Sequence, residues 1–486
     1  MFAVIKSMSI TKVYKQPLFS WLILLALPVY ILTVLNNIGY FYADEHYQII
    51  EFALHILGKV PDQLLAWEYK YGLRNGVLPL IASGLIYLCE VAGIDNPFSQ
   101  ALLLRAIGAI VFVTTTIYVA VKNYSPANKT QTIGIMGLTW LLWFMPMLAR
   151  FSSENFAACL LVILVTLLEN KKTRWYILTV TAVLICIRYQ TIIVVLTIWL
   201  HSWLIVRKNV WPLIAGVFAA LIVDVIAGYF LYHKAICPFF NYALMTIGGT
   251  GPNFGEQPFY FYITNVCKLA GYPLGITIWI ACAYYIITKP KDLISWITVV
   301  FLLVHTVMPH KEIRFLFPLI LLLPYMFRHL FYKAYFYLTK KVFAFLIFTI
   351  AIFNLALLIC NCFLPACSPV ALINMINKQT MPQHLLYLPY CNPYNPFESL
   401  PMQFYANSGV QKIKINQMAD MALQTKSNCL LSITQTQYEN NAGFLKAMGF
   451  KRYDSAYPVM LVKYNCGIWL HGDNNLMLLK KSDYNK

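Results

Sequence analysis

Charge is what this chain has least of. Only 12% of its 486 residues are Asp, Glu, Lys or Arg and 59% are hydrophobic, against roughly a quarter charged and under half apolar in a typical soluble domain. That scarcity excludes an ordinary soluble enzyme. Acids are the scarcer sign, 19 against 37 bases for a net charge of +18, a surplus that on a soluble chain would point to nucleic acid. No CxxC pair is joined by a second pair or by paired histidines, so the twelve cysteines indicate no zinc site. The glycines match neither a P-loop nor a dinucleotide fingerprint. Internal repeats and low-complexity stretches are absent as well.

What the chain does have is apolar runs close to the ~20 residues that cross a bilayer. The first, Leu18 to Leu35, follows Lys6, Lys12 and Lys15. It is too long for a removed signal peptide and lacks a small-residue cleavage site, so it reads as a membrane helix. Others lie at 98–120, 131–148, 154–168, 175–187, 190–206, 210–231, 271–288, 293–308, 315–327 and 342–361, which makes about eleven crossings. The chain reads as an all-α polytopic membrane protein, because lipid leaves backbone groups unpaired outside helices and closed barrels.

Val77 to Gly93 decides the topology. It is apolar but short, and contains Pro79, Gly84 and Glu90. If it lies along the interface, the basic loops all fall on the side of the N-terminus. Those segments hold Lys6, Lys12, Lys15, Lys122, Lys129, Lys171, Lys172, Arg174, Arg207, Lys208, Lys289, Lys291, Arg328, Lys333, Lys340 and Lys341. That is 16 bases against two acids, Glu169 and Asp292, a net of +14. The opposite segment 37–95 holds three bases against seven acids, a net of −4. The positive-inside rule favours this interfacial reading. Segments 37–95, 149–155, 232–270, 309–314 and everything after about residue 362 then share one extracytoplasmic face. The basic surplus is an orientation signal and implies no nucleic-acid partner.

The chain divides accordingly into a transmembrane domain over 1–361 and a small extracytoplasmic α/β domain over 362–486. In the latter, Cys429 to Ile433 and Val459 to Val462 are strand-like. Cys360, Cys362, Cys367, Cys391, Cys429 and Cys466 fall at or after the last apolar run, an even number that permits disulfides in an oxidising compartment.

Four constellations could carry chemistry. Asp44-Glu45 follow the first helix, and two adjacent carboxylates at a membrane surface can act as a general base or hold a metal. The bland reading is a solvated loop capping a helix over Glu45 to Leu57. Trp67-Glu68-Tyr69 and Arg74 share that loop. Pro309 to Phe315 packs His310, Lys311, Glu312 and Arg314 between two apolar runs, where four ionisable side chains are costly unless paired or functional. The three bases could neutralise a phosphate, with Glu312 pairing one of them; a salt-bridge anchor is the structural alternative. Arg105, Arg150 with Glu154, and Arg188 before Tyr189-Gln190 each read singly as snorkelling arginines. Their convergence on one face favours a role for the set. Lastly, Gly248 to Tyr262, with Glu256 and Tyr260, suits an interfacial lip that receives a sugar or lipid headgroup.

These residues resemble a family. Asp44-Glu45 with Glu51, Trp67-Glu68-Tyr69 and Arg74 to Pro79 look like the first lumenal loop of glycosyltransferase family 22, the polyprenyl-phosphate-mannose-dependent mannosyltransferases. His310 to Phe315, closed by Pro318, resembles its most recognisable signature. Phe254-Gly255 with Pro258 to Tyr262 is similar to its glycine-proline-aromatic motif. Within the family, Leu388 to Tyr394 and Gly449 to Tyr453 are similar to the tail of the GPI-anchor mannosyltransferase III type. Glu256-Gln257 replaces the usual threonine-histidine, and Asn392 stands where a histidine is usual; both departures bear on the acceptor.

The resemblance implies a glycosyltransferase C-type fold and an inverting transfer of mannose from a polyprenyl (dolichyl) phosphate to a lipid-linked glycan. It implies Asp44 as base, with Glu45 positioning the acceptor or the base. His310, Lys311, Arg314, Arg74 and Arg188 would hold the donor phosphate, with Trp67, Glu68, Glu256 and Tyr260 facing the substrate. No cofactor is required, though Asp44-Glu45 permits a divalent metal. The expected setting is the endoplasmic reticulum membrane in a eukaryote or the inner membrane in a bacterium. The rival class is a secondary transporter or flippase for a lipid-linked sugar or small solute, which tends to show repeated halves and broken midplane helices.

Overall fold

The computed structural model describes residues 17–122, 129–169, 174–207, 210–248, 255–379, 384–406, 409–420, 429–463 and 472–481. Lys6, Lys12, Lys15, Lys171, Lys172, Lys208, residues 249–254 of the glycine-rich loop, and Cys466 lie outside the described residues.

The protein forms two compact units, and neither is continuous in sequence. The first comprises Met1–Thr33, Tyr71–Leu80 and Leu104–Cys362; the second comprises Val34–Lys70, Ile81–Leu103 and Phe363–Lys486. The longer helices, in chain order, are α1 (Pro17–Asn36), α2 (Val77–Val91), α3 (Pro97–Lys122), α4 (Lys129–Leu141), α5 (Ser153–Glu169), α6 (Arg174–Ile187) and α7 (Ile192–His201). They continue with α8 (Trp211–Tyr232), α9 (Pro238–Gly248), α10 (Phe261–Ala270), α11 (Tyr272–Thr288), α12 (Leu293–Val307), α13 (Leu323–Tyr337), α14 (Lys340–Phe363) and α15 (Ser368–Asn377). Where the sequence suggests about eleven crossings, five helical stretches among the described residues are long and apolar enough to span a membrane, and five more are apolar but shorter. Val77–Val91, the segment expected along the interface, is one of the shorter ones.

Within the first unit, small residues let helices approach closely, as they do in apolar surroundings. A Cβ on Gly216 of α8 would lie 2.7 Å from Thr181 of α6, and one on Gly108 of α3 would lie 2.3 Å from the Arg150 backbone. The connection from α12 to α13 is a ten-residue 3-10 helix, Ile313–Leu322. Such helices rarely exceed a few residues because their hydrogen bonds are poor. Here Pro318 lies inside the segment and Pro324 opens α13. Each removes a donor and disfavours the α conformation in the residue before it, so the stretch stays wound at three residues per turn.

The second unit carries a five-stranded sheet built from β1 (His384–Tyr387), β2 (Gln411–Lys414), β3 (Cys429–Thr434), β4 (Phe450–Ser455) and β5 (Leu476–Lys481), in the order β2-β1-β3-β5-β4. β1 runs parallel to β2 and β3, while β5 is antiparallel to β3 and β4. Central β3 is almost wholly buried, as its mainly apolar sequence requires, with Ser432 donating to the Cys391 carbonyl at 2.6 Å, and the edges β2 and β4 expose lysines that discourage further pairing. The expected strand at 429–433 is therefore present. The one expected at 459–462 is instead a helix, Val459–Lys463. Pro458 sits just before it, and its carbonyl takes the Leu461 N–H at 3.0 Å, starting a helical turn where apolar content alone suggested a strand. The expected opportunity for disulfides is not taken up among the described residues, where all eleven cysteines are free thiols. Cys391, for instance, is buried and directs its thiol to Gln437 Oε1 at 3.3 Å.

Candidate functional site

In the second unit, Asp44 and Glu45 stand at the start of a continuous helical stretch. It is α-helical over Ala43–Glu45, π-helical over His46–Ile50 and α-helical again over Glu51–Ile56. The helix expected from the sequence is there, but with a change of register. The π turn brings positions five apart face to face, so the His46 Nε2 lies 2.9 Å from Glu51 Oε1 with both side chains 1% exposed. The Phe404 N–H donates to the same oxygen at 3.0 Å, while Glu51 Oε2 is buried with no hydrogen-bond partner. The His46 ring stacks on Tyr40 and on Tyr405, each at 5.5 Å between centroids. The Tyr47 hydroxyl donates to the Leu400 carbonyl at 3.1 Å, and burial raises the pKa of that phenol. Gln48 Nε2 donates to Glu68 Oε1 at 2.8 Å, and Tyr69 meets His55 Nε2 at 2.8 Å. Asp44-Glu45 and Trp67-Glu68, apart in sequence, are thus parts of one assembly, completed by the 397–405 segment.

The first unit gathers the bases. Arg314 donates to both oxygens of Glu312, from Nε at 2.5 Å and from Nη2 at 2.9 Å, and His310 Nε2 meets Glu312 Oε1 at 3.1 Å. Burial disfavours the charge of Glu312. The hydrogen bond and charge of Arg314, aided by His310, outweigh that and hold its carboxyl below the usual carboxylate range. Lys311 is buried and donates to the Gln257 carbonyl at 2.9 Å, while the Gln257 N–H donates to Pro309 O at 3.0 Å. The signature is thereby tied to the Glu256–Tyr260 loop, in which Glu256 and Tyr260 are exposed.

Arg188 does not stand alone at its helix end. Its Nη1 donates to Glu154 Oε1 at 2.6 Å and to Ser153 Oγ at 3.0 Å, and its Nε donates to Gln190 Oε1 at 3.1 Å. Glu154, grouped with Arg150 in the sequence, pairs with Arg188 and also feels the charge of Arg314, because α5 packs along the 3-10 segment. Arg105 and Arg150 are buried instead of snorkelling. Arg188 and Arg314 therefore face Glu154 and Glu312, while Lys311 is taken up by the Gln257 and Pro309 carbonyls. Arg74 is held by its main chain, whose N–H and carbonyl both bond the Tyr232 hydroxyl, at 3.0 and 2.9 Å.

One residue of this region escaped the sequence reading. Asp224, 2% exposed in α8, accepts from Asn75 and Tyr189, the residues that follow Arg74 and Arg188. Its signal was available, since a carboxylate inside a 22-residue apolar helix is costly and marks a site by default.

Arg314 also has an apolar continuation. The segment that carries it contributes Ile313, Leu316, Phe317 and Ile320 to the lining of an apolar cavity, together with Trp143 and Ile278. Among the described residues no group of three or more His, Cys, Asp or Glu side chains is placed to hold a metal ion.

The sequence model of the Alg9-like mannosyltransferase family matches residues 20–405. The GPI mannosyltransferase 3 of Candida albicans is 25% identical over 302 residues, covering 58% of this chain and 57% of the relative. The GPI alpha-1,2-mannosyltransferase 3 of Danio rerio is 22% identical over 298 residues, 58% of this chain and 53% of the relative. The chain thus spans just over half the length of the curated relatives it matches. In fold it is similar to the apo crystal structure of ArnT from Cupriavidus metallidurans, with a TM-score of 0.51 at 12% identity over 95% of this chain and 97% of that one.

Proposed function

The chain belongs to the Alg9-like mannosyltransferase family, and from that premise we propose that it moves mannose, with inversion, from a polyprenyl phosphate to a hydroxyl of a lipid-linked glycan such as a GPI precursor, on the extracytoplasmic face of its membrane. The observation that carries the reading is that Arg314, paired with Glu312, sits on the same 3-10 segment whose Ile313, Leu316, Phe317 and Ile320 line an apolar cavity. A guanidinium on such a segment suits a ligand with an anionic head and a hydrocarbon tail, and a prenyl phosphate is both.

The chemistry needs a base on the acceptor hydroxyl and fixed positive charge where the departing phosphate gains its second negative charge. Asp44 is the base. It takes the hydroxyl proton as the oxygen attacks the anomeric carbon and the bond to the phosphate oxygen breaks, with Glu45 positioning the acceptor. Arg314 and Arg188 hold the phosphate, with Arg74 and His310 beside them. Because Glu154 and Glu312 already orient both guanidiniums, little reorganisation accompanies charge transfer. Lys311, engaged by the Gln257 carbonyl, holds the Glu256–Tyr260 loop at the acceptor side. Glu68, next to Trp67, is held by Gln48 on the helical stretch that Asp44 begins.

Membranes containing the protein and given radiolabelled polyprenyl-phosphate-mannose should yield a new labelled lipid, and Asp44→Asn should lower its formation at least about a hundredfold, the usual scale for losing a general base. Transfer at the wild-type rate by a folded Asp44→Asn protein would remove Asp44 from the role. Label that crosses the bilayer without entering a new lipid would favour transport.

A further inference from the structure

Asp224 is a buried carboxylate that the reaction above does not use, and its four partners are all neutral donors. Asn75 Nδ2 donates to Oδ1 at 2.8 Å and the Tyr189 hydroxyl to the same oxygen at 2.5 Å; the Phe239 N–H donates to Oδ2 at 2.9 Å and the Cys237 thiol at 3.4 Å. A carboxylate at this depth is retained only if every partner is supplied, because losing one exposes a full desolvation cost. The hub joins three separate pieces of chain to α8: the turn before α2, the junction between α6 and α7, and the start of α9.

Two of those pieces bear arginines. Asn75 follows Arg74 and Tyr189 follows Arg188. Arg188 is an extended residue, φ −150° and ψ 104°, between two helices; its N–H donates to the Leu184 carbonyl at 3.1 Å and its own carbonyl accepts from the Thr191 N–H at 2.9 Å, so it ends one helix and starts the next turn. Its side chain is held by Glu154, Ser153 and Gln190, and its backbone is anchored one residue on, where the Tyr189 hydroxyl donates to Asp224. The Arg74 turn is likewise seated on α8: a Cβ on Gly76 would lie 2.3 Å from the Ala227 carbonyl oxygen, and Tyr232 clasps the Arg74 main chain. We propose that Asp224 is a positioning residue for the donor phosphate, setting the spacing of Arg74 and Arg188 through their neighbours without touching the substrate. The inference rests on the proposed donor site.

The test uses the full-length protein in lipid nanodiscs, with donor and acceptor concentrations varied separately. Asp224→Asn keeps the size but turns one acceptor into a donor facing the Phe239 N–H. Its apparent KM for polyprenyl-phosphate-mannose should rise about tenfold, the scale of one lost hydrogen bond to a charged group, with the acceptor KM unchanged. Tyr189→Phe should move the same parameter less, and the double variant should exceed Asp224→Asn little, since the two share one contact. A lower melting temperature with donor KM unchanged would overturn the proposal, as would equal changes in both KM values. Should Asp224→Asn fail to fold, Tyr189→Phe and Asn75→Ala carry the test, and an unchanged donor KM in both overturns it. Hydrogen exchange separates this failure from that of the parent reading. In Asp224→Asn, residues 72–76 and 188–191 should lose protection together whether or not the wild type transfers mannose; loss in neither, or in one alone, counts against the hub.

Discussion

Arg314 and Glu312 are two residues apart and meet through two hydrogen bonds, a fork-on-carboxylate geometry that lysine cannot reproduce. Arg314→Lys should therefore behave like Arg314→Ala, each raising the donor KM or lowering kcat about tenfold or more, as measured by label transfer. Wild-type kinetics in either would take Arg314 out of the donor site. The lowered carboxyl of Glu312 also gives a pH signature. A carboxyl depressed in the folded state adds stability above its unfolded pKa of about 4.3, and that contribution disappears only as pH falls through the lower folded value. The melting-temperature gap between wild type and Glu312→Gln should accordingly stay level from pH 8 to about 5 and close in more acid buffer. A gap that closed between pH 7 and 6 would contradict it. At this scale the sequence was informative about which residue types matter and poor on their partners: it set Glu154 beside Arg150, whereas the fold gives it to Arg188. Such pairing depends on which helices pack together, which no local pattern encodes.

Two helical elements owe their effect to departures from α geometry, and periodicity revealed neither. Apolar periodicity located both helices, but a single extra residue per turn at His46–Ile50, or three residues per turn at Ile313–Leu322, falls within the tolerance of any periodic pattern. Pro318 and Pro324 are the sequence marks of the second; the first has none. Glu51 depends on its π turn, accepting from both His46 and the Phe404 backbone. Glu51→Gln retains an acceptor for them and gives up only the charge, whereas Glu51→Ala strands two buried donors at about 1–3 kcal/mol each. The alanine variant should melt markedly lower than the glutamine one, as followed by thermal unfolding in detergent; equal melting would mean that the contact is not what fixes the turn.

At the scale of the whole chain, the division into apolar helices and an α/β tail was legible from composition, since burial in lipid and burial in a sheet leave different hydropathy. The membership of each compact unit was not, because Val34–Lys70 and Ile81–Leu103 group with Phe363–Lys486 across most of the sequence. The tail therefore has a specific duty toward the first loop, holding it through Leu400, Phe404 and Tyr405. Ending the chain after residue 396 should abolish transfer while leaving membrane insertion intact, scored by label transfer and by resistance to carbonate extraction. Full activity of that truncation would reduce the tail to an appendage.

The bond from Phe404 to Glu51 joins residues 353 positions apart. At ribosomal speeds of about 5–20 residues per second, the acid turn waits on the order of half a minute for the strap that fixes it. A nascent chain thus has most of its apolar helices synthesised before the segment that closes the Glu51 turn exists. Conditions that delay completion of the tail would lengthen that interval of exposure to proteases and chaperones without changing any residue that does chemistry.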